Sequence, residues 1–222
     1  NTAPQNRFFG CSFFHGFSNN QYVERAVVTK SKFYNMTSTL SVSQSTVSDS
    51  EFRNIEQLDS VSSVLRNNIF INVKSLYSSG MIQDNIFTDG SNLDIRGDGR
   101  LEMTGNYFYN LASVNIYLDQ GYPTNYKVVN NVFDLTQLMI YSPPYYGTLT
   151  RINATDNYWN GAGYTSQIYD YRNDVNRALF IVSPEKTSYK LPKYLRDYYQ
   201  IITNDTICHG YSYEDSMVCS GH

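Results

Sequence analysis

The sequence is poor in three things: charge of one sign, cysteine, and long apolar runs. Its 222 residues include 17 basic and 20 acidic side chains, a formal charge of only −3. No Lys/Arg cluster and no basic patch interleaved with aromatics occurs, which excludes the electrostatic attraction on which DNA or RNA binding depends. No stretch approaches the ~18 consecutive apolar residues of a membrane span, and any signal peptide or anchor is expected outside these residues. The three cysteines, Cys11, Cys208 and Cys219, leave an odd thiol over. In a secreted chain that implies a partner beyond these residues; otherwise Cys11 is a buried free thiol. His15 and His209 stand alone, without a Cys/His/Asp set at metal spacing, so neither a metal nor a cofactor is expected.

What is abundant points elsewhere. There are 21 Tyr and 12 Phe, while only 17% of the residues are charged, a balance closer to extracellular β-rich proteins than to cytosolic enzymes. Three N-x-S/T sequons begin at Asn35, Asn153 and Asn204.

The main signal is a repeat. An aromatic preceded two positions earlier by Asn or Ser recurs eight times: Ser12-Phe13-Phe14, Ser31-Lys32-Phe33, Ser50-Glu51-Phe52, Asn68-Ile69-Phe70, Asn85-Ile86-Phe87, Asn106-Tyr107-Phe108, Asn131-Val132-Phe133 and Asn157-Tyr158-Trp159. The aromatics are spaced by 19, 19, 18, 17, 21, 25 and 26 residues. Five positions before each stands an apolar residue: Phe9, Val28, Val47, Leu65, Ile82, Met103, Val128 and Ala154. A second apolar position follows three residues after the aromatic in most copies, and a third group comes later, as at Leu58, Leu76 and Leu93 with Ile95. Each period thus holds three short alternating pieces separated by Asn, Gly, Ser or Asp, which tolerate the left-handed backbone of a corner.

That grammar predicts an all-β fold, a right-handed parallel β-helix of about eight coils over residues 1–184, with a C-terminal cap. Coils stacked about 4.8 Å apart set equivalent side chains over one another. Asn68, Asn85, Asn106, Asn131 and Asn157 then form an inward amide ladder, and Phe52, Phe70, Phe87, Phe108, Phe133 and Trp159 an aromatic one. Asn35, Asn54, Asn72, Asp89 and Asn110 make a second polar row. A leucine-rich repeat is disfavoured because its frame is absent, and a helical repeat because no three-turn apolar stripe occurs before residue 165. In this register Asn153, beside inward Ala154, points outward and is a good glycosylation candidate, as is Asn204 in the irregular tail; Asn35 falls in the polar row, turned inward or held at a corner.

Two segments carry a resemblance. Asn157-Tyr158-Trp159-Asn160-Gly161, then Ile168-Tyr169-Asp170 and Asp174-Val175, resembles the closing coil and cap of pectin-lyase-like right-handed β-helix repeats. Residues 185–222 read as an irregular Tyr-rich tail, and the final Cys219-Ser220-Gly221-His222 resembles the opening of an EGF-like module. That second likeness implies a longer extracellular multidomain chain in which Cys208 and Cys219 pair with downstream cysteines; otherwise they pair with each other.

The first likeness implies a family that includes polysaccharide lyases and hydrolases, so stacked carboxylates are the thing to look for. In the repeat alignment Asp89 lies between Asn72 and Asn110, Asp94 between Tyr77 and Asn115, and Asp134 beside Tyr109 and Asn160. No acid stacks on an acid, which argues against paired-acid catalysis and against an acid-rich Ca²⁺ site. The Arg96-Gly97-Asp98 triplet reads as corner chemistry before it reads as an integrin motif, and nothing like G-x-S-x-G appears. Tyr145-Tyr146, Tyr169, Tyr171, Tyr189, Tyr194, Tyr198 and Tyr199 invite a sugar-stacking role, against the plainer reading that Tyr suits the outside of strands. The expectation is a non-catalytic extracellular or cell-surface glycoprotein segment: a rigid structural or adhesive rod, or a filament subunit of the flagellar-hair kind. Its partners would be other extracellular proteins, copies of itself, or glycans, with no nucleic acid. The alternative is a carbohydrate-active enzyme on the same fold.

Overall fold

The computed structural model describes residues 6–14, 21–90, 92–97, 101–118, 126–141, 149–160 and 163–188. They form a parallel β-solenoid, part of a compact unit that spans residues 1–188. The tail from residue 189, with Asn204, Cys208, Cys219 and the EGF-like likeness, lies outside the described residues.

Three rows of left-handed residues turn the chain. Gly10, Lys30, Asp49, Asn67, Asp84, Gly105, Asn130 and Asp156 line the first corner, Asn35, Asn54, Asn72, Asp89, Asn110 and Leu135 the second, and Arg25, Gln44 and Ser62 the third. Asn and Asp dominate because their short polar side chains relieve the strain of a positive φ. Backbone bonds hold each turn in place: at the first corner the N–H groups of Lys30, Asp49, Asn67 and Asp84 donate to carbonyls of the following coil at 2.9–3.3 Å.

Between corners run the faces. The first is a nine-stranded parallel sheet from Asn6–Phe9 through Met81–Gln83 to Leu179–Ile181. The second and third belong to one twelve-strand sheet. In early coils Lys32–Ser43, Glu51–Ser60 and Ile69–Ser78 run unbroken through the second corner, whereas later coils split there, as into Tyr107–Tyr109 and Ser113–Leu118. A bend at Asn35, Asn54 or Asn72 therefore leaves strand pairing intact on both sides. Gly80 is demanded by proximity instead of by φ, because a Cβ there would run into the Ser63 carbonyl.

The core holds three long columns, one of them on the third face, where Leu40, Leu58, Leu76, Ile95, Ile116 and Ile140 follow one another in register; the other two lie at the first corner. Phe13, Phe33, Phe52, Phe70, Phe87, Phe108, Phe133 and Trp159 stack with centroids 4.6–5.0 Å apart. Packed against them, Val28, Val47, Leu65, Ile82, Met103, Val128 and Ala154 are at most 1% exposed. Burying each large side chain contributes roughly 1.5–3 kcal/mol, and the offset stack of rings adds about 0.5–1.5 kcal/mol per pair.

The amide ladder completes the interior. The backbone N–H of Ser50, Asn68, Asn85, Asn106 and Asn131 donates to Oδ1 of the asparagine one coil on, at 2.8–3.0 Å. The Nδ2 groups of Asn68, Asn85, Asn106, Asn131 and Asn157 reach back to Val47, Leu65, Ile82, Met103 and Val128 carbonyls. Ser31 and Ser50 hold the same positions, but their shorter hydroxyls donate within their own coil, to Thr29 and Ser48. A second ladder, not anticipated from the repeat, lies at the third corner, where Ser45 Oγ accepts from the Ala26 N–H and Ser63 Oγ from the Ser45 N–H, both at 3.0 Å.

Three expectations need correction. The first copy is shifted by one residue: Phe13, not Phe14, pairs with Phe33, and Phe8, not Phe9, pairs with Val28. Cys11 therefore takes the ladder position assigned to Ser12, its N–H donating to Ser31 Oγ at 3.3 Å, while Phe9 is 71% exposed. Two consecutive phenylalanines satisfy the pattern in either register, and strand pairing decides between them. Next, Asp94 pairs with Ser75, not with Tyr77, because the longer corner after Asp89 delays the third face by two residues; Tyr77 pairs with Arg96. Lastly, the solenoid makes about six turns, not eight. Eight aromatics nonetheless stack in the column, from Phe13 to Trp159.

At the C-terminal end Asp170 is fully buried and accepts from the Arg172 backbone and guanidinium and from the Phe180 N–H at 2.7–3.0 Å. This staple folds residues 170–177 into turns beside the last strand, Leu179–Ile181. Pairing continues to Lys186, whose N–H donates to Asn157.

Two substitutions test this account. Asn106→Ala strands the buried Asn85 N–H, removes the bond to the Ile82 carbonyl and should lower unfolding stability by about 2–4 kcal/mol in urea titration. Leu135 holds a left-handed turn at φ 50 while 63% exposed, where five coils before it use Asn or Asp. Leu135→Asn should raise stability by about 0.5–1 kcal/mol, read as a higher urea midpoint at unchanged slope.

Candidate functional site

Most inward polar groups are bound into the ladders, so chemistry has to be sought on the outer faces. In the strand registers of the described residues no carboxylate lies beside another, and no group of three His, Cys, Asp or Glu gathers. Asp134 sits opposite Tyr109 and accepts from the Tyr107 hydroxyl at 2.8 Å. Asp89 turns the second corner at φ 57. These acids are separate sites, each bound up with the local turn or strand.

The densest outward cluster is on the third face, over the later coils. Register aligns Asn92 with Ser113 and Gln137, Asp94 with Asn115 and Met139, and Arg96 with Tyr117 and Tyr141. Ser113 Oγ lies 3.0 Å from Asn92 Oδ1 and 2.9 Å from Asn115 Oδ1, and Asn115 Nδ2 donates to Asp94 at 2.8 Å. One hydroxyl proton cannot serve two carbonyl oxygens. Turning the Asn92 amide over resolves this, giving a chain of donors that runs from Asn92 through Ser113 and Asn115 to the Asp94 carboxylate.

Beside that chain the rings of Tyr117 and Tyr141 stack at 4.8 Å, 13° from parallel. Arg96 lies over Tyr117 at 5.5 Å, and Arg177 is 4.3 Å from the Tyr141 centroid and 4.4 Å from that of Tyr169. Arg177 also donates to the Ile140 carbonyl and pairs with Asp174, so it ties the C-terminal turns to this face. Burial pushes the Tyr117 phenol above 10.0, helped by Asp94 and Tyr141 and opposed by Arg96 and Arg177. With a guanidinium group and a neighbouring ring against their faces, Tyr117 and Tyr141 present their edges outward, and Arg177 covers one face of Tyr169. Sugar stacking needs an open ring face, so this column suits hydrogen bonding at its edges better than it suits stacking.

The remaining candidates are dispersed. Asn153 is exposed, its Oδ1 accepting from the Thr155 N–H at 3.1 Å. Asn35 is held at the second corner, where its Oδ1 accepts from Asn54 Nδ2 at 2.8 Å, and Asn54 Oδ1 accepts in turn from Asn72. Cys11 is a half-buried free thiol in the first coil. Tyr171 is 37% exposed, whereas Tyr145, Tyr146, Tyr189, Tyr194, Tyr198, Tyr199 and Asp98 lie outside the described residues. The repeat had pointed to Asp94 and to Asn115 beside it, but not to Asn92, Ser113 or the tyrosine column, because the outward positions of the third face have no recurring residue type to align on.

No family model, curated protein or solved structure matches this chain. Among the described residues no helix is long and apolar enough to cross a membrane.

The raised Tyr117 phenol has a pH consequence. The folded state holds that proton above the pH at which the unfolded chain releases it, so stability falls as pH rises from 10 through the folded value. Urea midpoints measured across that window should fall more steeply for the native protein than for Tyr117→Phe.

Proposed function

We propose that the chain is a non-catalytic segment of an extracellular or cell-surface glycoprotein, a rigid rod that spaces or presents binding surfaces. The observation that carries this reading is how the polar groups are used. Inside, the asparagine ladder ties each coil to the one before it; outside, the acids stand apart from one another. A hydrolase or lyase of this architecture needs acid and base groups converging on one bond, whereas a spacer needs only stiffness.

In this proposal the solenoid is of the pectin-lyase-like kind and leads into an EGF-like module whose cysteines include Cys208 and Cys219. Asn153, exposed beside a buried alanine, is the leading glycosylation site, followed by Asn204 and then Asn35. Other extracellular proteins, glycans or further copies of the chain are the partners. End-to-end association of copies would give a filament.

Incubation with uronate-containing and neutral polysaccharides, with and without Ca²⁺, tests the reading. No turnover is expected. Turnover abolished by replacing a single acid, Asp94 or Asp134 for example, would make the chain a carbohydrate-active enzyme instead. Expressed through a secretory pathway, the protein should lose mass on glycosidase treatment, and Asn153→Gln should remove one glycan.

A further inference from the structure

The third face holds two phenols closer to each other than to any catalytic arrangement. Tyr117 and Tyr141 sit at the same position of consecutive coils, on parallel strands in register, with ring centroids 4.8 Å apart and planes 13° from parallel. Equal position and near-parallel planes bring the two phenols face to face. Both side chains are half-buried and so remain in part open to solvent. Arg96 and Arg177 flank the pair from either end, and the Tyr141 hydroxyl is further fixed on Met139 Sδ at 3.8 Å.

We propose that Tyr117 and Tyr141 form an oxidative cross-linking site, at which a peroxidase using hydrogen peroxide joins consecutive coils through a dityrosine bond. Each phenol loses one electron and its hydroxyl proton, becoming a neutral phenoxyl radical. The two radicals couple into one carbon–carbon bond between the ortho carbons. Each of those carbons then gives up its hydrogen as a proton, the oxygens regain protons, and both rings return to aromaticity. One peroxide takes up the two electrons and two protons and leaves as two waters. Because the electron and proton depart together, no cationic ring has to form beside Arg96 or Arg177. Stacking already holds the partners together, so coupling within a molecule competes with coupling between molecules by proximity alone. Tyr107 and Tyr109, on one strand with centroids 6.1 Å apart, lack this geometry.

The biological use of such a bond rests on the rod reading, since a covalent rung suits a load-bearing extracellular segment; the chemistry does not. Dilute purified protein treated with a peroxidase and hydrogen peroxide should gain dityrosine fluorescence and lose two hydrogen atoms in mass while staying monomeric. Proteolysis should then yield one linked peptide containing both Tyr117 and Tyr141. Tyr117→Phe and Tyr141→Phe should each abolish that linked peptide, with the β-sheet circular dichroism unchanged, and Tyr77→Phe should retain it. Absence of the linked peptide in the native protein, dityrosine only between chains, or an undiminished yield in Tyr141→Phe would overturn the proposal. Polysaccharide turnover in the separate assay would sink the rod reading and leave this result standing.

Discussion

A side chain that bonds to the coil before its own is the constraint on which everything else in this molecule rests. Asn106 accepts from the Asn85 N–H and donates to the Ile82 carbonyl, and the same pair of bonds recurs from Asn68 to Asn157. The Asn85 N–H lies at a corner, where the strand ladder has just ended, whereas Ile82 belongs to the strand Met81–Gln83, so the amide ties a corner to the strand that leads into it. Without an amide of that length, each coil would bury an unpaired N–H at this corner. The stacked phenylalanines next to them fill the space that this spacing creates, and the left-handed corners bring the chain round to the required register.

With the interior committed to architecture, the outer faces are what differ from coil to coil. Beside the aromatic column the outward residues change from Lys32, Tyr34, Glu51 and Arg53 to Ile69, Ile71, Ile86 and Tyr107. On the third face Ser41, Asp59 and Tyr77 give way to the Arg96–Tyr117–Tyr141 column and its hydrogen-bonded neighbours. A solenoid tolerates such variation because an outward position stands outside the repeating interior, even where, as at Ile71, Ile86 and Tyr107, the side chain is buried. Function is accordingly a matter of individual surface residues on a fixed frame, and the frame does not specify it.

Much of this frame was legible in the sequence. Spacing of Phe33, Phe52, Phe70, Phe87 and Phe108 located the buried column, because an inward position in a stacked coil admits one kind of side chain over and over. The same logic found the asparagines. It failed where the constraint loosens: at Phe13-Phe14, where two aromatics compete for one position, and between Asp89 and Asp94, where corner length varies and the alignment drifts by two residues. The Ser45–Ser63 ladder went unseen because serine is common throughout the chain and only two members form the bonds. Arg177 and its place against Tyr141 were beyond reach, since residues 36 positions apart meet only after the C-terminal turns fold back.

The ladder also has a direction. Bonds run from the backbone of an earlier coil to the side chain of the next, so every coil is incomplete until its successor arrives. A chain emerging from its N-terminus would close one rung after another in the order of its synthesis, each new asparagine satisfying the amide left waiting behind it. Beyond the last rung the direction reverses, and the side chain of Asp170 accepts from the later backbone N–H groups of Arg172 and Phe180.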